Sequence, residues 1–153
     1  MNTQAPANLT VRPLREDDRP AWEPLWAGYL AFYDSDLPTE VTDMTWSRFH
    51  HDGEHIYGLC AERDGEMIGI AHYVLHRSSW AKNCYCYLED IFVADNVRGG
   101  GVGRALIEAV ESAAYKAGAS RLYWLTHESN STAHALYDKV AQRSGFIQYR
   151  KSL

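Results

Sequence analysis

The chain has 153 residues, 46% of them apolar and 23% charged, with a formal net charge of −5. That length fits a single domain able to bury roughly 70% of its unfolded surface, which needs no disulfide or metal staple. The negative balance argues against nucleic acid or anionic membrane as partners, since both are held through Lys and Arg on phosphate. The apolar runs are too short to span a bilayer.

Cys60, Cys84 and Cys86 are odd in number, and Cys84-Tyr85-Cys86 is not a CxxC pair. Reduced structural thiols in a cytoplasmic protein are therefore expected. MNTQAPANLT offers neither a basic nor an apolar signal region. Residues 1–8 read as a flexible tail and residues 9–153 as one domain.

In chain order, Val11 to Leu14 begins the ordered part as an edge strand that tolerates Pro13. Asp17 and Asp18 offer a helix start. Trp22, Leu25, Trp26, Tyr29, Leu30 and Tyr33 then recur at helical spacing as one aromatic stripe. Asp34 to Pro38 breaks that helix, and a short second helix follows from Val41 to His50. Ile56 to Glu62 and Glu66 to His76 read as strands joined by an Arg63-Asp64-Gly65 turn. Tyr85 to Val93 is a further strand, on which alternation puts Glu89 and Ile91 on one face and Asp90 on the other. Val102, Ala105, Leu106, Ala109, Val110 and Ala113 mark a helix closed by Gly118. Arg121 to Thr126 is a strand, Thr132 to Arg143 the last helix, and Phe146 to Lys151 a final strand. Hairpins in the first half and βαβ crossovers in the second predict an α/β fold with a mixed, mostly antiparallel central sheet flanked by helices.

The stretch from Asp90 to Val110, DIFVADNVRGGGVGRALIEAV, sets a knot of glycines between a strand and a helix. A helix N-terminus carries partial positive charge and unpaired N–H donors, and absent Cβ atoms let an anion approach them. A Walker A loop fails because Arg104-Ala105 follows Gly103 where Lys-Ser/Thr is needed. A Rossmann loop fails because too little chain follows for a dinucleotide domain. A tight turn alone needs only one or two glycines. Arg98, Gly101 and Gly103 fit R/Q-x-x-G-x-G/A.

That motif resembles the acetyl-CoA pyrophosphate loop of the GNAT superfamily of N-acetyltransferases. Tyr87 to Val93 resembles the family's central strand, Asn130 to Tyr137 its N-x-x-A-x-x-x-Y segment, and Gly145-Phe146 its closing G-F. Val11 to Phe49, YWLTHESN and LYDKV look most like the fungal histone and polyamine acetyltransferase branch.

The resemblance implies the GNAT acyl-CoA N-acyltransferase fold and transfer of the acetyl group of acetyl-CoA to a primary amine. The acceptor would be a small amine or polyamine, an amino acid or a peptide lysine, reached directly in a ternary complex. Cofactor binding falls to Ile91, Phe92 and Val93, to Arg98, Gly99, Gly100, Gly101, Val102, Gly103 and Arg104, and to Asn130, with no metal. Tyr137 matches the general acid that protonates the leaving sulfur. An alkyl ammonium has an ordinary pKa near 10.4, so a base is needed at neutral pH; Glu89 is the candidate. Trp26, Tyr29, Tyr33 and Asp34 would frame the amine, and a homodimer through C-terminal strands is expected. Seven residues separate Tyr137 from Gly145, more than the family's usual spacing. His50, His51 and His55 lack supporting ligands, His127 lies near the expected site, and His72 and His76 read as ordinary strand residues. The alternatives are an acetyl-CoA sensor module or another short acyl donor.

Overall fold

The computed structural model describes residues 8–153; the predicted tail lies almost entirely outside them. Five strands, β1 (Leu9–Pro13), β2 (Ile56–Arg63), β3 (Glu66–His76), β4 (Cys84–Val93) and β5 (Ala119–Tyr123), form one sheet in sequence order. β1 to β4 pair antiparallel and β5 joins β4 in parallel. The sheet is therefore mixed and mostly antiparallel, as the hairpin and crossover signals predict. The β2–β3 turn holds Asp64 at φ 52° and Gly65 at φ 80°, the left-handed pair that a two-residue hairpin needs.

Helices cover both faces. α3 (Val102–Lys116) inserts Val102, Leu106, Ile107, Val110 and Ala114 against Leu59, Ala71, Cys86 and Leu88. It lies so close to β3 that a Cβ on Gly69 would meet Leu106 at 3.1 Å. On the opposite face, α1 (Arg19–Phe32) and α2 (Thr39–Phe49) bury Trp22, Trp26 and Trp46 with Leu14, Cys60 and Ile70. The Trp22 and Trp46 rings are 4.8 Å apart, and Trp26 stacks on Trp22. α4 (Ser131–Val140) packs Leu136, Tyr137 and Val140 against the α3-side core.

Two sequence expectations are corrected. Phe146 to Lys151 forms no strand; everything after α4 is extended and exposed, with Phe146, Ile147 and Tyr149 all more than three-quarters accessible. Apolar alternation is present there, but among the described residues no strand pairs with it. The faces of β4 also differ. His72 pairs with Asp90 but Tyr73 pairs with Leu88, so Glu89 is an extra, bulged residue. Leu88 and Ile91 both join the α3-side core, while Phe92 belongs to the α1 side and Asp90 bonds to His72. One inserted residue resets a two-residue period. Glu89 therefore sits with Asp90 rather than with Ile91, and the charges of both reach Tyr29 on α1.

Candidate active site

β4 and β5 share a ladder only from Cys84 to Tyr87. β5 ends at Tyr123 while β4 runs on to Val93, so among the described residues the β5-facing edge of β4 from Leu88 onward has no strand partner. The backbone donors and acceptors along that edge are open to an extended ligand. At its far end a 3-10 turn, Asp95–Val97, leads into the glycines.

Gly99 and Gly101 take φ values of 84° and 81°, a region only glycine enters cheaply. Gly101 caps α3 without a side chain, and the first helical bond runs from the Ala105 N–H to the Gly101 carbonyl at 3.0 Å. The N–H groups of Val102, Gly103 and Arg104 thus have no helical acceptor. The loop suits a diphosphate: free donors, a helix dipole and no Cβ on Gly99, Gly100 or Gly101.

The two flanking arginines point elsewhere. Arg98 donates from Nε to the Val93 carbonyl at 3.0 Å, pairs with Asp95 and lies 5.2 Å from the Phe92 ring centre. Arg104 pairs with Glu108 one turn along α3. Asn130 caps α4, its Oδ1 accepting from the Ala133 N–H at 3.3 Å.

Tyr137 stands on α4, packed on the α3-side core and edge-on to Trp124, the residue after β5, at 5.4 Å. Burial, and then the neighbouring Tyr33, push its phenol above the ordinary tyrosine range. A phenol so placed keeps its proton until a strong base such as a departing thiolate appears. Burial, and then the charge of Asp90, push the Glu89 carboxyl upward, while His72 opposes the shift. A carboxylate with a raised pKa is the better base near neutrality. Above this pair stand Tyr29 and Tyr33, with ring centres 5.0 Å apart. An open cleft lined by Phe32, Tyr33, Asp34, His127, Ser129 and Asn130 leads in beside them.

Tyr33, Asp34 and His127 thus gather at one opening, with Tyr29 beside Tyr33 and the charges of Asp90 and Glu89 reaching it. Trp26 does not join them. It is 7% exposed, stacks at 10° to Trp22 and donates its indole N–H to Thr42 at 3.2 Å, so its place is the core. An i, i+4 pair of tryptophans on one helix face reads the same in sequence whether it lines a core or a cleft. Sequence reasoning missed Asp90, which it turned away from Glu89, and His72, which is fully buried and bonded to Asp90. Their meeting depends on the register between β3 and β4, which no local signal carries.

An open β4 edge, a glycine-capped helix beside it and a shielded tyrosine on α4 make a site with room for an extended, anionic ligand. The pattern of the Acetyltransferase (GNAT) family matches residues 12–141. The chain belongs to this family and is an acetyl-CoA-dependent N-acetyltransferase. It is 35% identical over 146 residues to the D-amino-acid N-acetyltransferase HPA3 of Saccharomyces cerevisiae, covering 94% of this chain and 91% of the relative. It is 32% identical over 105 residues to a phosphinothricin N-acetyltransferase of Alcaligenes faecalis, covering 64% and 51%. Among solved structures, a ribosomal-protein-alanine N-acetyltransferase of Brucella melitensis superposes with a TM-score of 0.79 at 20% identity, covering 95% of this chain and 99% of that one. AAC(6')-Iy with the bisubstrate analog CoA-S-monomethyl-acetylneamine gives 0.81 at 20%, covering 96% and 100%. These two show a shared fold.

Proposed function

We propose that the protein transfers the acetyl group of acetyl-CoA directly to the primary amine of a small molecule, with an amino acid as the favoured acceptor. The observation that carries this is the open edge of β4 between the α3 N-terminus and Tyr137. Acetyl-CoA supplies the acetyl thioester. The N–H groups of Val102, Gly103 and Arg104 hold its diphosphate. Main-chain groups of Ile91 and Val93 hold the pantetheine arm, and Arg98 must first release the Val93 carbonyl. Glu89 takes a proton from the acceptor's ammonium. Tyr137 gives its proton to the departing sulfur.

An acetyl-cysteine route has little support. Burial pushes the Cys60 thiol up to about 11 and Cys86 up to about 12, so both stay protonated and weakly nucleophilic. The three free, buried thiols also suit a reducing compartment such as the cytoplasm. The preference for an amino acid over a histone tail or polyamine rests on the activity named for the yeast relative. We further propose a homodimer. The C-terminal segment, with Phe146, Ile147 and Tyr149 exposed, is unpaired, and among the described residues β5 has no strand on its outer side. A second copy's segment would satisfy both.

The test is CoA release with acetyl-CoA across D- and L-amino acids, spermidine and a histone-tail peptide. Turnover of the amino acids above the peptide is expected. Saturable acetyl-CoA binding without turnover of any amine would make the protein a sensor module, and absence of binding would remove the cofactor assignment.

A further inference from the structure

Beside the groups used above runs a buried polar chain that packing alone does not require. Trp22 and His72 are both 0% exposed, and the indole Nε1–H of Trp22 donates to His72 Nε2 at 3.0 Å. His72 Nδ1 lies 2.9 Å from Asp90 Oδ2. An indole nitrogen is a donor only, so Nε2 must be the bare nitrogen of the imidazole. Nδ1 therefore carries the proton and donates to Asp90. An imidazolium would turn a second N–H against the indole N–H and lose that bond. Ring neighbours Trp26 at 5.2 Å and Phe49 at 4.6 Å pack around the imidazole, so it has no room to exchange its nitrogens.

The end of the chain is the β4 bulge. The inserted residue puts Asp90 next to Glu89 on the α1 side, where the charge of Asp90 is felt by Tyr29, Tyr33, Tyr87 and Glu89 itself. The charged and titratable groups that act on Glu89 or feel its charge are Asp90 and Tyr87 on β4, His72 on β3 and Tyr29 on α1; Tyr33 beside α1 faces Asp90, and Tyr123 on β5 and Arg150 lie near Tyr87.

We propose that Trp22 and His72 are positioning residues: by fixing the Nδ1–H tautomer they hold Asp90 as a fixed second carboxylate beside Glu89, and the two carboxylates together receive the acceptor's ammonium group. This rests on the acetyl-transfer reading above. Asp90 has one oxygen tied to His72, and its carboxylate seats the ammonium. Glu89 is not tied and takes the proton: the ammonium N–H bond breaks, a carboxyl O–H forms, and the nitrogen keeps the lone pair that attacks the thioester. Two like charges side by side are costly unless a cation joins them, so the pair favours an ammonium over a neutral amine as the species that binds.

The tautomer is read by nitrogen-15 NMR of histidine-labelled protein at pH 7. A neutral His72 protonated on Nδ1 is expected, and Trp22→Phe, which removes the donor to Nε2, should open Nε2 to protonation and move its nitrogen-15 shift while Nδ1–H stays on Asp90. An imidazolium or an Nε2–H form in the parent protein overturns the lock. For Asp90→Asn, with n-butylamine as the acceptor probe, KM for the amine should rise roughly tenfold or more, the loss of a charged contact. KM for acetyl-CoA should stay near the parental value. The acidic limb of the kcat/KM profile should move to lower pH, because Glu89 loses a like-charged neighbour. An unchanged amine KM with an unchanged limb overturns the paired-carboxylate site. Should Asp90→Asn fail to fold, Trp22→Phe carries the same split between amine and acetyl-CoA KM. If the parent turns over no amine at all, the transfer reading fails by itself. The carboxyl carbon-13 shift of Asp90 on titration with n-butylamine then decides whether the pair seats an ammonium.

Discussion

In the proposed reaction Tyr137 and the loop glycines carry separable duties. Tyr137→Phe keeps the packing on Trp124 and removes only the hydroxyl. It should lower kcat by about 10²–10⁴-fold with acetyl-CoA affinity near normal, measured by steady-state kinetics and calorimetry. Burial and Asp90 raise the Glu89 carboxyl, so the parent's acidic limb is expected above the ordinary carboxylate range; Glu89→Gln should abolish it, and an unchanged pH–rate profile would remove Glu89 as the base. Gly101 and Gly103 differ in kind. At φ 81° a side chain at Gly101 is strained, so Gly101→Val should cost about 1–2 kcal/mol in a denaturant melt and raise the acetyl-CoA KM. A Cβ at Gly103 would meet Leu136 at 3.5 Å, ordinary contact, so Gly103→Ala should leave stability nearly unchanged. The glycine motif was readable from residue types alone, because a tight turn before a helix is a local demand. That Arg98 folds back onto Val93 was not, since its carbonyl acceptor and Phe92 come from the preceding strand.

At the level of elements, the most confined charge cluster ties β1 to the start of α1. Arg12 donates to both Asp18 oxygens at 2.7 and 2.9 Å and from Nε to Glu62 on β2 at 2.9 Å. The Arg12 guanidinium holds the Asp18 carboxyl below the usual carboxylate range. Arg12→Ala should cost about 1–3 kcal/mol at pH 7, seen as a lower melting temperature, because it leaves charged acceptors short of a partner. Asp18 is depressed on folding, so its share of stability is complete above the ordinary value near pH 4 and fades as pH falls through its lower folded value. The gap between parent and variant should therefore narrow in strong acid. Helix periodicity located α1, α2, α3 and α4 to within three residues at either end, since an apolar stripe repeats wherever one face is buried. Strand alternation failed at Glu89, where one bulged residue reverses the pattern without any change in composition.

Across the whole molecule, the splay of β4 from β5 makes a site, and the C-terminal segment makes a second demand. If that segment pairs with another copy, light scattering should report twice the 17.4 kDa chain mass. Deleting residues 142–153 should then yield a monomer, whereas a monomeric parent at assay concentration ends the dimer reading. Residue order alone was enough for the family, for the order of elements as far as α4 and for the glycine turn before α3, because each depends on neighbours within a turn or two of chain. The β3–β4 register, the joining of Glu89 with Asp90, the burial of Trp26 and the Trp22–His72–Asp90 chain emerged only once the sheet was assembled. Residues 22, 72 and 90 lie on three different elements, and which atoms meet is decided by long-range pairing that a linear pattern does not encode.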